Sequence, residues 1–183
     1  MTETELFDYF NEHVFYEMQM LNYTRGRLEN APDQPTWNAM FAAFNVSARN
    51  LYDFLNNNGD RRTDVNVDDY KNFRSDAKRS STSDVTGTLN KLHAQCLHLG
   101  KDRFKEPDKK INLDRIRTMS AWVVSNVTAL LGSFKEEFRS KLNSDWIDLV
   151  AQRIVSGPIG PELGTLTTST FAMVNGPTGP TPR

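Results

Sequence analysis

The residues best suited to chemistry surround one histidine in the middle of the chain. Lys91, Gln95 and His98 share one polar face of a helix that the sequence predicts in this region, and Arg103 follows shortly after it. A histidine can move a proton near neutral pH, while a lysine or an arginine can hold a phosphate. The same spacing is typical of a solvated helix face with a histidine near the C-terminus, where its cationic form is favoured. We favour the solvated face and keep the chemical interpretation as the alternative.

A second candidate is a pair of opposite charges earlier in the chain. Arg49 and Asp53 stand four residues apart, off the apolar stripe of their predicted helix. The simple interpretation is an ion pair along one helix, worth a few tenths of a kcal/mol. The alternative is a buried polar link to a neighbouring helix. The predicted binding residues are Arg49, Asp53, Gln95, His98 and Arg103.

Motifs for other kinds of catalysis are missing from the sequence. It contains no Gly-rich phosphate loop, no His-Glu-x-x-His, no Gly-x-Ser-x-Gly and no Cys-x-x-Cys. His93 and His98 point about 140° apart on an ideal helix, so they do not form a metal-binding pair. Asp8, Glu12 and His13 form a weak cluster that a solvated helix face explains. We expect no metal and no cofactor.

Composition limits the class of protein. The 183 residues are 38% hydrophobic and 25% charged, with a net charge of -1, which is typical of one globular domain. This balance argues against a polybasic binder of nucleic acid or membranes. The acidic start, Met1 to Glu5, is unlike a secretory signal, so we expect a cytoplasmic protein. The most apolar stretch, residues 121–131, is too short to cross a bilayer, and we expect no membrane partner.

Apolar residues recur at spacings of three and four along most of the chain, which predicts an all-α bundle of about five helices. The two long N-terminal helices should pack antiparallel because their link is short and contains two prolines. Between the helices lies a polar segment in which Asn66 and Asp69 should cap one short helix that ends at Phe73. The predicted helices are Thr2 to about Leu28, Thr36 (as the N-cap) to about Leu55, Asp84 to Leu99, Asn112 to Phe138 as the longest, and a short one from Ser144.

The C-terminal residues differ in composition from the rest. Residues 157–183 contain five glycines and five prolines and only two charged side chains. We therefore predict one helical domain over residues 1–155 and a flexible tail over residues 156–183. The apolar run from Phe171 to Val174 is either incidental or a docking strip.

One segment resembles a known group of proteins. The run Ala48-Arg49-Asn50-Leu51-Tyr52-Asp53-Phe54-Leu55 is similar to a motif of uncharacterised bacterial helical proteins of HEPN-like appearance. Basic residues and then aspartates follow in the same order, at residues 61–65 and 68–70. His98-Leu99-Gly100-Lys101-Asp102-Arg103 matches the group's His-Leu-x-x-x-Arg run. The resemblance covers about residues 37–140 and implies a helical fold more than an activity.

The resemblance also raises the question of catalysis. HEPN ribonucleases use an Arg-x(4-6)-His motif, whereas here Lys91 precedes His98 by six intervening residues. Lysine cannot reproduce the planar fork of arginine at a phosphate. Our leading hypothesis is therefore a helical protein-interaction module without catalytic activity, with a protein partner or a second copy bound.

The alternative is a metal-independent ribonuclease of HEPN type with a degenerate motif. His98 would handle the proton of the attacking ribose hydroxyl, and Lys91 or Arg103 would hold the phosphate. RNA is an expected partner only under this alternative. A small-molecule pocket between helices is a third interpretation.

Overall fold

The computed structural model describes residues 1–56, 64–75, 85–89 and 112–151, and across these ranges the chain is all-α, as predicted. The only sheet-like contact within these ranges is an isolated antiparallel bridge between Arg74 and Phe134. The elements are α1 (Glu3–Tyr9), a π-helical turn (Phe10–Val14), α2 (Phe15–Glu29), α3 (Gln34–Asn56), a 3-10 helix (Val67–Phe73), α4 (Leu113–Ser133), α5 (Glu136–Arg139) and α6 (Asp145–Ala151). Residues 85–89 are also helical.

The N-terminal helices begin at the predicted capping box. The backbone N–H of Thr2 donates to the Glu5 carboxylate at 2.7 Å, and the Glu5 N–H donates to Thr2 Oγ1 at 3.2 Å. Hydrogen bonds from Thr2 hold the pKa of Glu5 below its usual value. The chain then continues without a break through the π-helical turn into α2. The apolar residues predicted to face the core are almost all buried: Leu6, Phe10, Val14, Met18 and Leu21 are buried, and Phe7 is half-buried.

The start of α3 corrects one prediction. Thr36 is not the N-cap, because the helix begins at Gln34. Asp33 caps it instead, since its Oδ1 accepts the backbone N–H of Thr36 at 2.7 Å. Pro35 fits inside the first turn because the N–H it lacks would have no partner within the helix. Hydrogen bonds from the side chain and the backbone N–H of Thr36 hold the pKa of Asp33 below its usual value.

Helices α2, α3 and α4 pack against one another. The short link between α2 and α3 makes them antiparallel, as predicted, with Phe10 near Phe54 at the far end. Asn112 caps α4, as predicted, by accepting the N–H of Arg115 at 3.1 Å. The start of α4 lies beside the end of α2, where Arg117 Nε donates to Glu29 at 3.0 Å.

The end of α4 corrects a second prediction. The helix stops at Ser133 instead of continuing to Phe138, and its 21 residues make it shorter than the 23-residue α3. Beyond Ser133 the backbone pairs with residues at the end of the 3-10 helix instead of continuing the α-helix. Ser75 N–H donates to Ser133 O at 2.9 Å, and Lys135 N–H donates to Phe73 O at 2.8 Å. This change of direction puts the aromatic rings at 134 and 138 into the core.

Hydrogen bonds and aromatic contacts hold α6, the last described helix, against the N-terminal segment. Asn11 lies in the π-helical turn, and its Oδ1 accepts both the N–H of Asn143 at 3.1 Å and the indole N–H of Trp146 at 3.2 Å. The Trp146 ring lies 4.9 Å from Phe10 and 5.0 Å from Phe15. The extra residue of a π-helical turn changes the helix register locally, and here it accompanies the contact with α6.

Tyr70, in the polar segment, is the centre of the aromatic core. Its side chain has 0% exposure, and its hydroxyl donates to the carbonyl oxygen of Leu6 at 2.9 Å. Burial raises the pKa of Tyr70. Asn66 and Asp69 begin the 3-10 helix and Phe73 ends it, as predicted. The rings that surround Tyr70 are Phe10, Phe54, Phe134 and Phe138, with centroids 5.6 to 6.0 Å away.

Three predictions fall outside the described residues. They are the predicted helix Asp84–Leu99 beyond residue 89, the domain boundary at residue 155 and the tail over residues 156–183. Among the helices that the structure does describe, none combines the length and apolarity needed to cross a bilayer.

The position of Tyr70 predicts two different stability losses. Tyr70→Ala should lower the free energy of unfolding by about 3–5 kcal/mol, because it empties a filled aromatic site. Tyr70→Phe should cost about 0.5–1.5 kcal/mol, because only the hydrogen bond is lost and Leu6 O still accepts from the Phe10 N–H. Urea unfolding followed by circular dichroism measures both. Equal, small losses would mean that Tyr70 is not enclosed.

Candidate functional site

The structure describes two of the predicted site residues. Arg49 and Asp53 lie on α3, whereas Lys91, Gln95, His98 and Arg103 all lie outside the described residues. Their proposed convergence on one polar face, and any role in catalysis, therefore remain predictions.

Arg49 and Asp53 form the simple ion pair along one helix. Arg49 Nε lies 3.3 Å from Asp53 Oδ2, and the two side chains are 44% and 31% exposed. An exposed pair of this kind contributes little to stability because water screens it. Its significance is its location, since it marks the side of α3 that points away from the core.

We call the solvent-facing sides of α3 and of the neighbouring α2 together the outer face. Glu17 on α2 and Asn50 on α3 join the two helices at its surface, with Asn50 Nδ2 donating to Glu17 Oε1 at 2.7 Å. Three large apolar or aromatic side chains on these helices, Tyr16, Tyr23 and Val46, are more than half exposed. The outer face comprises Tyr16, Tyr23 and Arg27 on α2 and Val46, Arg49 and Asp53 on α3.

Two residues of the outer face hold each other in place. The Arg27 guanidinium lies 5.3 Å from the centre of the Tyr23 ring, and its Nε donates to the Tyr23 hydroxyl at 3.2 Å. This arrangement adds a cation–π attraction to a hydrogen bond. It also fixes two long side chains before any partner arrives, which lowers the conformational entropy lost on binding.

A tyrosine and a histidine lie next to each other in the N-terminal segment that precedes α2. The Tyr9 and His13 rings lie 4.8 Å apart. Burial raises the pKa of Tyr9, and the charges of Asp64 and Glu17 raise it further. Tyr9 is therefore a neutral phenol at neutral pH and cannot serve as a base. No group of three or more potential metal ligands occurs anywhere in the described ranges.

The outer face suits contact with another macromolecule. Tyrosine and arginine are enriched at the centres of protein interfaces, because they bury large areas and still offer hydrogen bonds. The sequence analysis missed Tyr16 and Tyr23 because it followed the apolar stripe that faces the core. Their signal was available: two tyrosines stand seven residues apart on the opposite side of that stripe.

Comparisons with known proteins identify no relatives. No protein-family model matches the chain, and searches of curated proteins and of solved structures return no significant match.

The exposure of the two tyrosines predicts that they are not needed for folding. In the double variant Tyr16→Ser/Tyr23→Ser, each change should alter the free energy of unfolding by no more than about 0.5 kcal/mol, since exposed substitutions usually do little. Urea unfolding at low protein concentration measures this.

The comparison variant is Tyr70→Ala, which removes a tyrosine that is fully buried. A loss of several kcal/mol in the double variant would show that the two tyrosines pack against the body of the protein and are not a free surface.

Proposed function

We propose that this protein is a helical protein-interaction module without catalytic activity, that it works in the cytoplasm, and that the outer face is its contact surface. One observation carries the proposal. Tyr16, Tyr23 and Val46 are 56%, 53% and 55% exposed on the outward sides of two helices whose other sides are buried.

The chemistry of the outer face supports binding more than turnover. Its polar groups are a paired arginine and aspartate and an arginine fixed on a tyrosine ring. These groups recognise carboxylates, backbone carbonyls and aromatic rings. The exposed apolar surface of the outer face favours binding, because its removal from water lowers the free energy of the complex.

The rival is the metal-independent ribonuclease of HEPN type. It rests on the resemblance of residues 48–55 and 98–103 to the bacterial HEPN-like group. In that mechanism His98 acts on the ribose hydroxyl while Lys91 or Arg103 holds the phosphate. We rank it second because a lysine is a flexible point charge, and phosphate capture is best served by a fixed cationic fork.

Incubation of the purified full-length chain with labelled single-stranded RNA, in the presence of EDTA, tests the choice. We expect the RNA to remain intact with the wild type and with His98→Ala. EDTA removes the background of metal-dependent nucleases, while a HEPN-type reaction would proceed without metal.

His13→Ala is the matched control, because it removes an exposed histidine that has no place in the nuclease hypothesis. RNA cleavage by the wild type and by His13→Ala, but not by His98→Ala, would replace the module with the nuclease.

A further inference from the structure

We propose that the outer face binds a second copy of the same chain, with the two α2 helices antiparallel about a two-fold axis. This inference rests on the proposed function and names the partner. It is drawn from the order of the side chains along α2 and the π-helical turn that precedes it, which is complementary to itself when the segment is reversed.

The positions of four exposed residues have a common centre. Tyr16 and Tyr23 lie at equal distances on either side of the midpoint between Gln19 and Met20, and so do Glu12 and Arg27. If a two-fold axis passes through that midpoint, Tyr16 lies opposite the partner's Tyr23. Glu12 then lies opposite the partner's Arg27. A two-fold interface repeats each contact, so the pair of helices has two tyrosine contacts and two Glu–Arg contacts.

The charges required for this pairing are available. Neither Glu12 nor Arg27 takes part in a salt bridge within the described ranges. Arg27 donates to the Tyr23 hydroxyl through Nε, and its two terminal nitrogens can still donate to a carboxylate of a partner. The net charge of the chain is only -1, and therefore two copies do not repel each other strongly.

The tyrosines supply the apolar part of the contact. Each is more than half exposed in one copy, and each would be covered by the other copy's ring in the pair. Offset or edge-to-face aromatic pairs stabilise a contact by more than the burial of their surface area alone. A contact built on one helix and its edge is small, which indicates a transient dimer and not a permanent one.

Sedimentation velocity of the full-length chain, from low to several hundred micromolar, is the first measurement. We expect the average mass to rise from monomer toward dimer with concentration. Tyr16→Ser/Tyr23→Ser should weaken dimerisation by at least about tenfold, because it removes the central contacts. A wild type that remains monomeric at every concentration would overturn the inference.

Charge reversal then tests the antiparallel geometry. Arg27→Glu places a glutamate opposite the partner's Glu12, and Glu12→Arg places an arginine opposite the partner's Arg27. Each single variant should dimerise at least about tenfold more weakly than the wild type at low salt. An equimolar mixture of the two variants should dimerise again, because both charge pairs are then opposite, and so should the double variant.

Lys71→Glu is the matched control, since it reverses an exposed charge on the 3-10 helix. It should dimerise like the wild type. Single variants that dimerise normally, or a mixture that stays monomeric, would show that the chain uses another surface or orientation. These results are independent of the RNA assay: monomers that leave RNA intact would overturn the dimer alone, whereas cleavage lost in His98→Ala would overturn the module.

Discussion

The hydroxyl of Tyr70 donates to the carbonyl oxygen of Leu6 where no solvent reaches, and much of the fold depends on this contact. A phenol can be enclosed this deeply only if its one polar group has a partner. The contact therefore ties the polar middle segment to the first helix. It also explains why α4 stops at Ser133, because the chain has to turn there to bring Phe134 and Phe138 against the Tyr70 ring.

The same constraint decides which sides of α2 and α3 remain outside. Phe10 and Phe54 face the Tyr70 cluster, and Phe44 and Leu51 continue the buried side of α3. Residues on the opposite side of each helix must then face water, whatever their type. Water-exposed tyrosines contribute little to folding, and this is why the outer face is free to serve binding. Preorganisation of Arg27 on Tyr23 is consistent with that role.

The sequence predicted the helices well wherever local rules decide them. Thr2, Glu5 and Asn112 cap as expected because a cap depends only on residues within one turn. The prediction at Thr36 was wrong because Asp33 competes for the same N–H and Pro35 is tolerated in a first turn. The core role of Tyr70 could not be predicted, since it depends on four rings from three distant parts of the chain. Arg49 and Asp53 were found as a pair by their spacing, and they lie on the outward side of α3 because its other side packs against α2 and α4.

The claim that the outer face binds a second copy of the chain is tested most directly by amide NMR spectra of the full-length chain over a dilution series. A spectrum reports every residue separately, so it locates contact as well as detecting it. We expect signals from Glu12 to Asn30, and from the adjoining part of α3 around Val46, to shift with concentration. Signals from the core around Tyr70 should stay fixed. Spectra that do not change with concentration, or shifts confined to other parts of the chain, would contradict the account.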